Sequence, residues 1–265
     1  MKKIYFVINN YMYVSEREIA HKKIYTEVIK KIPEPDEVQS FNIKGKLNVC
    51  LIECRIMDEI KYVLNALLRV YKANDIGLTI ICGNKNKIFV NNIIKKWKNV
   101  RVINCGLDNL NRRTYSAMLK MPQFWEKFEN WSHVLIYQTD ALIMKPIDDF
   151  YFNYDYIGAP WSKQNQWVKY CAGNGGFSLR NVKSMIKVCE PNRDLNFVNI
   201  NTDNEDGFFC SSNLLKFPPI NSKLHYNFAV EEVFYDTPIG CHQLYRYLNS
   251  KDFNKLIEYI KEKLL

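Results

Sequence analysis

No run of the roughly 20 apolar residues that span a bilayer occurs in the chain, and its opening, MKKIYFVINNYMYVSERE, turns polar too soon for a secretory signal. The expectation is a soluble, unexported, cytoplasmic protein without a transmembrane segment. CxxC pairs and Cys/His clusters at zinc spacing are missing; the eight cysteines (50, 54, 82, 105, 171, 189, 210, 241) lie scattered, mostly in apolar segments such as NVCLIEC and GLTIICG. They read as reduced, buried thiols. Neither a GxGxxG after a strand nor a GxxxxGKS/T occurs, which removes the dinucleotide fingerprint and the P-loop phosphate cradle. Linkers rich in Gly, Ser or Pro, internal repeats and low-complexity tracts are absent too. The formal charge is +9, yet the 37 basic residues form no block of five or more. That distribution describes a solvated, lysine-rich surface better than a nucleic-acid reader, while a moderate positive field still favours phosphorylated substrates.

What the 265 residues do contain is an alternation of strand-like and helix-like segments, with an ordinary 47% hydrophobic and 25% charged composition. KKIYFVIN reads as a strand. Ser15 with Glu18 forms a capping-box signature ahead of a helix carrying Ile19, Ile24, Val28, Ile29 and Ile32, ended by Pro33 and Pro35. NVCLIEC, GLTIICG, VRVINC and HVLIYQT are further strands. Between them lie a helix with Ile60, Val63, Leu64, Leu67 and Leu68 on one face, a second with Phe89, Val90, Ile93, Ile94 and Trp97, and helical turns around Tyr115, Met118, Leu119, Phe124, Trp125 and Phe128 broken at Pro122. This rhythm predicts an α/β fold with a mostly parallel sheet. After Asp140 the pieces become shorter and aromatic, as in YDYIGAPW, GNGGFSLR and FPPINSKLHYNFAVEE, and Phe253, Leu256, Ile257, Ile260 and Leu264 mark a closing helix. The parse is a strand-helix extension over 1–46 and one domain over 47–265, with a nucleotide half to about 140, an acceptor half over about 141–250 and the closing helix over 251–265.

In open α/β sheets, ligands settle beyond the carboxyl ends of the strands. Asp140 sits at such an end, in the polar triplet Gln138, Thr139, Asp140 that follows an apolar run; a carboxylate there needs a cation, a hydrogen-bond network or water. Glu53 and Arg55 end another strand, as a ligand pair or a local ion pair capping it. Gly83, ending a third, permits close backbone approach. The GNGG of 173–176, with Asn174, Gly175 and Gly176, is a plain turn or a ligand loop, and Trp161 in the upstream GAPW offers a ring face of the kind that receives sugars. Glu205 and Asp206, followed by Gly207, Phe208 and Phe209, suit a helix N-terminus; alternatively, one of them, held near apolar walls, serves as a general base. Among the histidines, His21, His133 and His225 read as structural, and His242 stands out by its position in TPIGCHQLYRYL.

Taken in order, ECR at 53–55, the Tyr115, Leu119, Phe124, Trp125 spacing, QTD, GAPW, GNGG, EDGFF and GCH resemble a family catalogued as a domain of unknown function and regarded as glycosyltransferase-like, related to the GT-A nucleotide-sugar fold; the resemblance runs from about Asn48 to Leu248. It implies a Rossmann-like half for the nucleotide and an abutting half for the acceptor. In the GT-A pattern an Asp-x-Asp triplet and a C-terminal histidine hold Mn2+ or Mg2+ with the donor diphosphate. Carried over, that makes Asp140 and His242 the metal ligands, with Gln138 standing where the first acid is usual. Gln243, Leu244 and Tyr245 depart from the Lys-Pro-Trp that often follows the histidine, leaving Arg246 as a substitute phosphate partner. The resemblance further implies Asp206 as base with Glu205 orienting the acceptor or serving as the alternative base, a donor site including Glu53, Arg55, Gly83, Gln138, Thr139, Asp140, Asn174, Gly175 and Gly176, and Trp161 toward the acceptor. The expected activity is metal-dependent, inverting transfer from a nucleotide sugar, a UDP-sugar by analogy, to a glycan, protein or lipid hydroxyl. A catalytically inactive nucleotide-sugar binder or scaffold, and a nucleic-acid module driven by net charge, are the competing readings.

Overall fold

Strand and helix alternate through the first half of the chain, and the alternation builds one sheet. The computed structural model describes residues 14–162, 173–195, 200, 203–219 and 222–265; the KKIYFVIN segment and Cys171 lie outside them. The first part runs α1 (Glu16–Ile29), β1 (Gly45–Ile52), α2 (Glu59–Val70), β2 (Gly77–Cys82), α3 (Lys87–Ile93), β3 (Arg101–Asn104), α4 (Arg112–Leu119), α5 (Pro122–Glu126) and β4 (Trp131–Tyr137). The second part adds β5 (Ala141–Ile143), β6 (Tyr156–Gly158), β7 (Phe177–Asn181), α6 (Val182–Cys189), α7 (Glu205–Cys210), α8 (Lys223–Phe228), β8 (Ala229–Val230), β9 (Gly240–His242), α9 (Leu244–Tyr247) and α10 (Ser250–Leu264). The expected α/β class with a mostly parallel sheet is what forms.

The main sheet has the order β3-β2-β1-β4-β7-β6. Its first four strands are parallel, and β7 joins β4 antiparallel with Tyr137 opposite Phe177. Strands from both halves of the chain therefore share one sheet. A second sheet, β5-β9-β8, is short and decisive for the site: β5 pairs antiparallel with β9, setting Ala141 opposite His242, and β8 runs parallel to β9, setting Val230 opposite Cys241.

Alternation along the strands sends side chains to two cores. Val49, Leu51, Leu135 and Tyr137 meet Ile60, Val63, Leu64 and Leu67 of α2 on one face. On the other face Cys50, Ile52, Val134 and Ile136 meet Leu119, Phe124, Trp125, Phe128, Val182 and Met185. Each such side chain contributes roughly 1.5–3 kcal/mol on burial, and a one-residue slip would turn every one of them into the opposite core, whose packing it does not match.

The Ser15 hydroxyl caps α1 by accepting from the Glu18 amide at 3.1 Å, as the capping signature predicts. The buried face of that helix differs from the expected one. Ile19 and Ile24 are 59% and 44% exposed, while His21, Tyr25, Val28 and Ile29 are buried. The reason is the partner: His21 stacks on Phe253 of α10 with ring centroids 4.0 Å apart, and Tyr25 meets Tyr245, so the aromatic positions choose the face. Pro122 opens α5, where its missing N–H costs nothing. The seven described cysteines are free thiols, six of them buried. No helix among the described residues is long and apolar enough to cross a membrane.

Candidate functional site

The strand order reverses between β2 and β4, on either side of β1, and the residues beyond those carboxyl ends converge as an open α/β sheet requires. Beyond β1, Glu53 is buried and clamps Arg55: Oε1 accepts from the Arg55 amide and Nε, each at 2.8 Å, and Oε2 from Nη2 at 2.7 Å. The local ion pair weighed from the sequence thus forms, with the Arg55 side chain 60% exposed. The Thr139 hydroxyl donates to Glu53 Oε2 at 3.3 Å, which joins this clamp to the QTD triplet. Asn86, fully buried, ties the neighbouring ends together by donating to the carbonyls of Glu53 and Arg55 and accepting from the Gly83 amide. At Gly83 the close approach is made by the chain itself, since a Cβ would collide with the Leu107 carbonyl oxygen.

Beyond β4 the chain turns within three residues, the Ala141 amide donating to the Gln138 carbonyl, and enters β5. Pairing of β5 with β9 brings Asp140 against His242: Oδ1 lies 3.2 Å from Nε2. Gln138 Oε1 lies 3.2 Å from the same nitrogen. The Gln243 side chain donates to Asp140 Oδ2 at 2.7 Å and its amide to the Asp140 carbonyl at 3.0 Å, from a backbone at φ 44°. A left-handed conformation in a non-glycine residue is an unfavourable one that the surrounding bonds must hold, and such residues cluster at functional sites. Burial opposes ionisation of Asp140, but the charge and hydrogen bond of His242 prevail and bring its pKa down to about 2. For His242, burial works against the proton, and the Asp140 and Glu231 carboxylates raise the pKa to about 10. Glu231, the residue after β8, places Oε1 3.1 Å from His242 Nδ1.

The GNGG loop joins this cluster to the paired acids. The Gly176 carbonyl accepts from the Gln138 amide at 3.0 Å, and its N–H donates to Asn174 Oδ1 at 2.6 Å. A Cβ at Gly176 would collide with His242 Nε2, and one at Gly175 with Glu205 Oε1. Glycine at both positions is a packing requirement of the site. Arg180, fully buried on β7, donates from Nη1 to Glu205 Oε2 at 2.8 Å, from Nη2 to Oε1 at 3.1 Å and to the Gly175 carbonyl at 3.2 Å. Its guanidinium sits 4.8 Å from the Tyr156 ring centroid and 5.2 Å from that of Phe209. A buried pair of this kind is costly to break, so Arg180 holds the Glu205 side chain in place.

Asp206 differs from its neighbour. It is partly exposed, and its Oδ1 accepts from the Gly207 amide at 2.7 Å. Burial first, then the Glu205 charge, pushes its pKa up to about 6. Trp161 is partly buried, packed against the core that includes α4 and α5. His21, His133 and His225 pack in structural settings, His133 between Ser132 and the Tyr154 carbonyl. The structure thus gathers Gln138, Asp140, Asn174, Gly175, Gly176, Glu205 and His242, with Thr139, Glu53 and Arg55 on one flank. Sequence reasoning passed over Arg180, Glu231 and Asn86. An arginine in a strand and an acid after a two-residue strand carry no periodic signal; their partners lie far along the chain.

Among solved structures, the chain is similar to an active-site mutant of LgtC, with 15% identity, 61% of this chain and 68% of that one covered, and a TM-score of 0.42. It is similar to the glycosyltransferase GlyE of Streptococcus pneumoniae TIGR4, with 13% identity, coverage of 82% and 60%, and a TM-score of 0.45. A third is the mannosyltransferase PcManGT of Pyrobaculum calidifontis in complex with GDP-Man and Mn2+, with 10% identity, coverage of 71% and 59%, and a TM-score of 0.39. The chain spans less than two thirds of the length of the last two. No curated protein matches it. A family profile matches residues 99–242, which takes in QTD, GAPW, GNGG, ED and GCH and leaves out ECR and Gly83. Since that match covers more than half of the 265 residues, the chain belongs to the DUF5672 family of proteins of unknown function.

Proposed function

We propose that this protein is a glycosyltransferase that moves a sugar from a nucleoside-diphosphate sugar to a hydroxyl acceptor with inversion, using a divalent metal held by Asp140 and His242. The observation that carries the reading is the convergence of Asp140 Oδ1 and Gln138 Oε1 on His242 Nε2, each at 3.2 Å, at the carboxyl end of the central strand. Such separations suit neighbouring ligands of an octahedral ion, about 3 Å apart when the bonds are about 2.1 Å. The donor set is one carboxylate, one imidazole and one amide oxygen, leaving room in the coordination shell for phosphate oxygens. Bound there, Mn2+ or Mg2+ would neutralise charge developing on the departing diphosphate.

The chain's own residues supply the remainder. Gly175 and Gly176 let the loop backbone close directly onto Glu205 and His242, which fixes the position of both side chains. Arg180 neutralises Glu205, which leaves Asp206 as the carboxylate of the pair suited to take the acceptor's proton. A pKa of about 6 keeps it ionised at neutral pH yet basic enough to accept that proton in the transition state. Glu53, Arg55 and Thr139, hydrogen-bonded together beyond β1 and β4, are assigned to the nucleoside side, and Trp161 to the acceptor side.

The test is a panel of nucleotide sugars in thermal shift with and without Mn2+, followed by transfer or hydrolysis of any that bind. A donor that raises the melting temperature only with Mn2+ and is then consumed supports the reading; no stabilisation by any donor under either condition contradicts it. Gln138 in place of a first acid favours one alternative, a nucleotide-sugar binder without catalysis. Metal-dependent binding with no turnover of the bound donor would select it.

A further inference from the structure

We propose that Glu231 is a positioning residue that fixes His242 with Nδ1–H directed away from the metal and Nε2 directed toward it. The inference rests on the reading of Asp140 and His242 as metal ligands. The small sheet aligns the three residues: Asp140 precedes Ala141, which is opposite His242, and Glu231 follows Val230, which is opposite Cys241. Glu231 and His242 are 2% and 3% exposed, and Oε1 receives the Nδ1 side of the ring at 3.1 Å. Glu231 Oε2 is buried with no hydrogen-bond partner among the described residues. Folding alone gives little reason to bury a carboxylate with half its acceptor capacity unused.

A histidine between two carboxylates could be an ion triad that only stabilises the fold. The other side of the ring argues for more. A single Nε2–H serves one short acceptor well, yet Asp140 Oδ1 and Gln138 Oε1 stand equally distant from it at 3.2 Å. Asp140 keeps 29% of its side chain exposed, while the His242 ring packs so closely on Gly176 that a Cβ there would collide with Nε2. Two oxygens and a ring nitrogen directed at one partly open point oversupply a proton and suit a cation. With Nδ1–H donating to Glu231, Nε2 is the nitrogen that would give up its proton to a cation, and the carboxylate makes the imidazole a stronger ligand, as hydrogen-bonded partners of metal-bound histidines do.

The experiment uses the full chain and the metal alone, Mn2+ followed by the paramagnetic resonance of the free ion and Co2+ followed by its visible absorption. Replacing the partner of a ligating histidine lowers metal affinity about 10- to 100-fold. E231A is expected in that range; E231Q, which keeps the volume and an acceptor oxygen, is expected at its lower end with an altered Co2+ spectrum. E231Q carries the test if E231A does not fold. Unchanged Mn2+ affinity and Co2+ spectrum in E231Q, with H242A binding weakly, would overturn the role of Glu231 and leave the metal site standing. Wild-type protein that binds neither ion would overturn both.

Discussion

Replacing Asp206 by asparagine should stabilise the protein at neutral pH while removing the proposed chemistry. In the folded chain, burial and then the charge of Glu205 lift the Asp206 pKa from 3.8 to about 6. At 1.36 kcal/mol per pH unit, that gap amounts to about 3 kcal/mol of native-state cost when the group is ionised. The sign follows from proton counting. Between about pH 4 and pH 6 the native state keeps a proton that the unfolded chain has released, so stability falls as pH rises through that window. Below it the cost is absent, and above it complete. An asparagine preserves the acceptor that receives the Gly207 N–H at 2.7 Å and carries no charge at any pH. Asp206→Asn should therefore exceed the wild type by up to about 3 kcal/mol at pH 7.5, a rise in melting temperature of about 6 °C for a domain of this size, and match it near pH 4. Urea unfolding of both proteins at the two pH values measures the difference. A variant less stable than wild type at pH 7.5, or a difference that does not change with pH, refutes the reasoning.

Other substitutions probe the neighbouring contacts. Arg180→Met should destabilise by about 3–5 kcal/mol in chemical denaturation, because it leaves Glu205 buried without its cation; the double variant Arg180→Met/Glu205→Leu should recover much of the loss. Gly176→Ala should weaken Mn2+ binding in calorimetry, since the added methyl collides with His242 Nε2; unchanged affinity would detach the loop from the metal site. Initial rates of transfer should fall below about pH 6 as Asp206 takes up its proton, and a flat profile from pH 5 to 8 would remove it as the base. Ser15→Ala should cost about 1 kcal/mol through the lost cap of α1, read as a shift in the denaturation midpoint.

How far the sequence reaches is set by the range of the interactions involved. The strands β1, β2 and β4 announce themselves as largely apolar runs, and α2 by one apolar face repeated over its twelve residues. So does the Asp140 turn, where an apolar run meets a charge. The strands β5, β8 and β9, of three, two and three residues, are too short for any period, yet their pairing creates the contact of Asp140 with His242 and Glu231. Likewise the acid pair was visible, but which acid is engaged depends on Arg180, 25 residues away across the core. The face of α1 is illegible in the sequence for a related reason: the Ile positions suggest one stripe, while stacking of His21 on Phe253, distant in the chain, selects another.

The central claim is that Asp140 binds a cation that in turn binds a diphosphate. Titration calorimetry of a nucleoside diphosphate into wild type and Asp140→Ala, each with and without Mn2+, tests it directly. The account predicts binding for the wild type in Mn2+ alone, and none for Asp140→Ala. Equal binding in the absence of Mn2+, or in the variant, would contradict it.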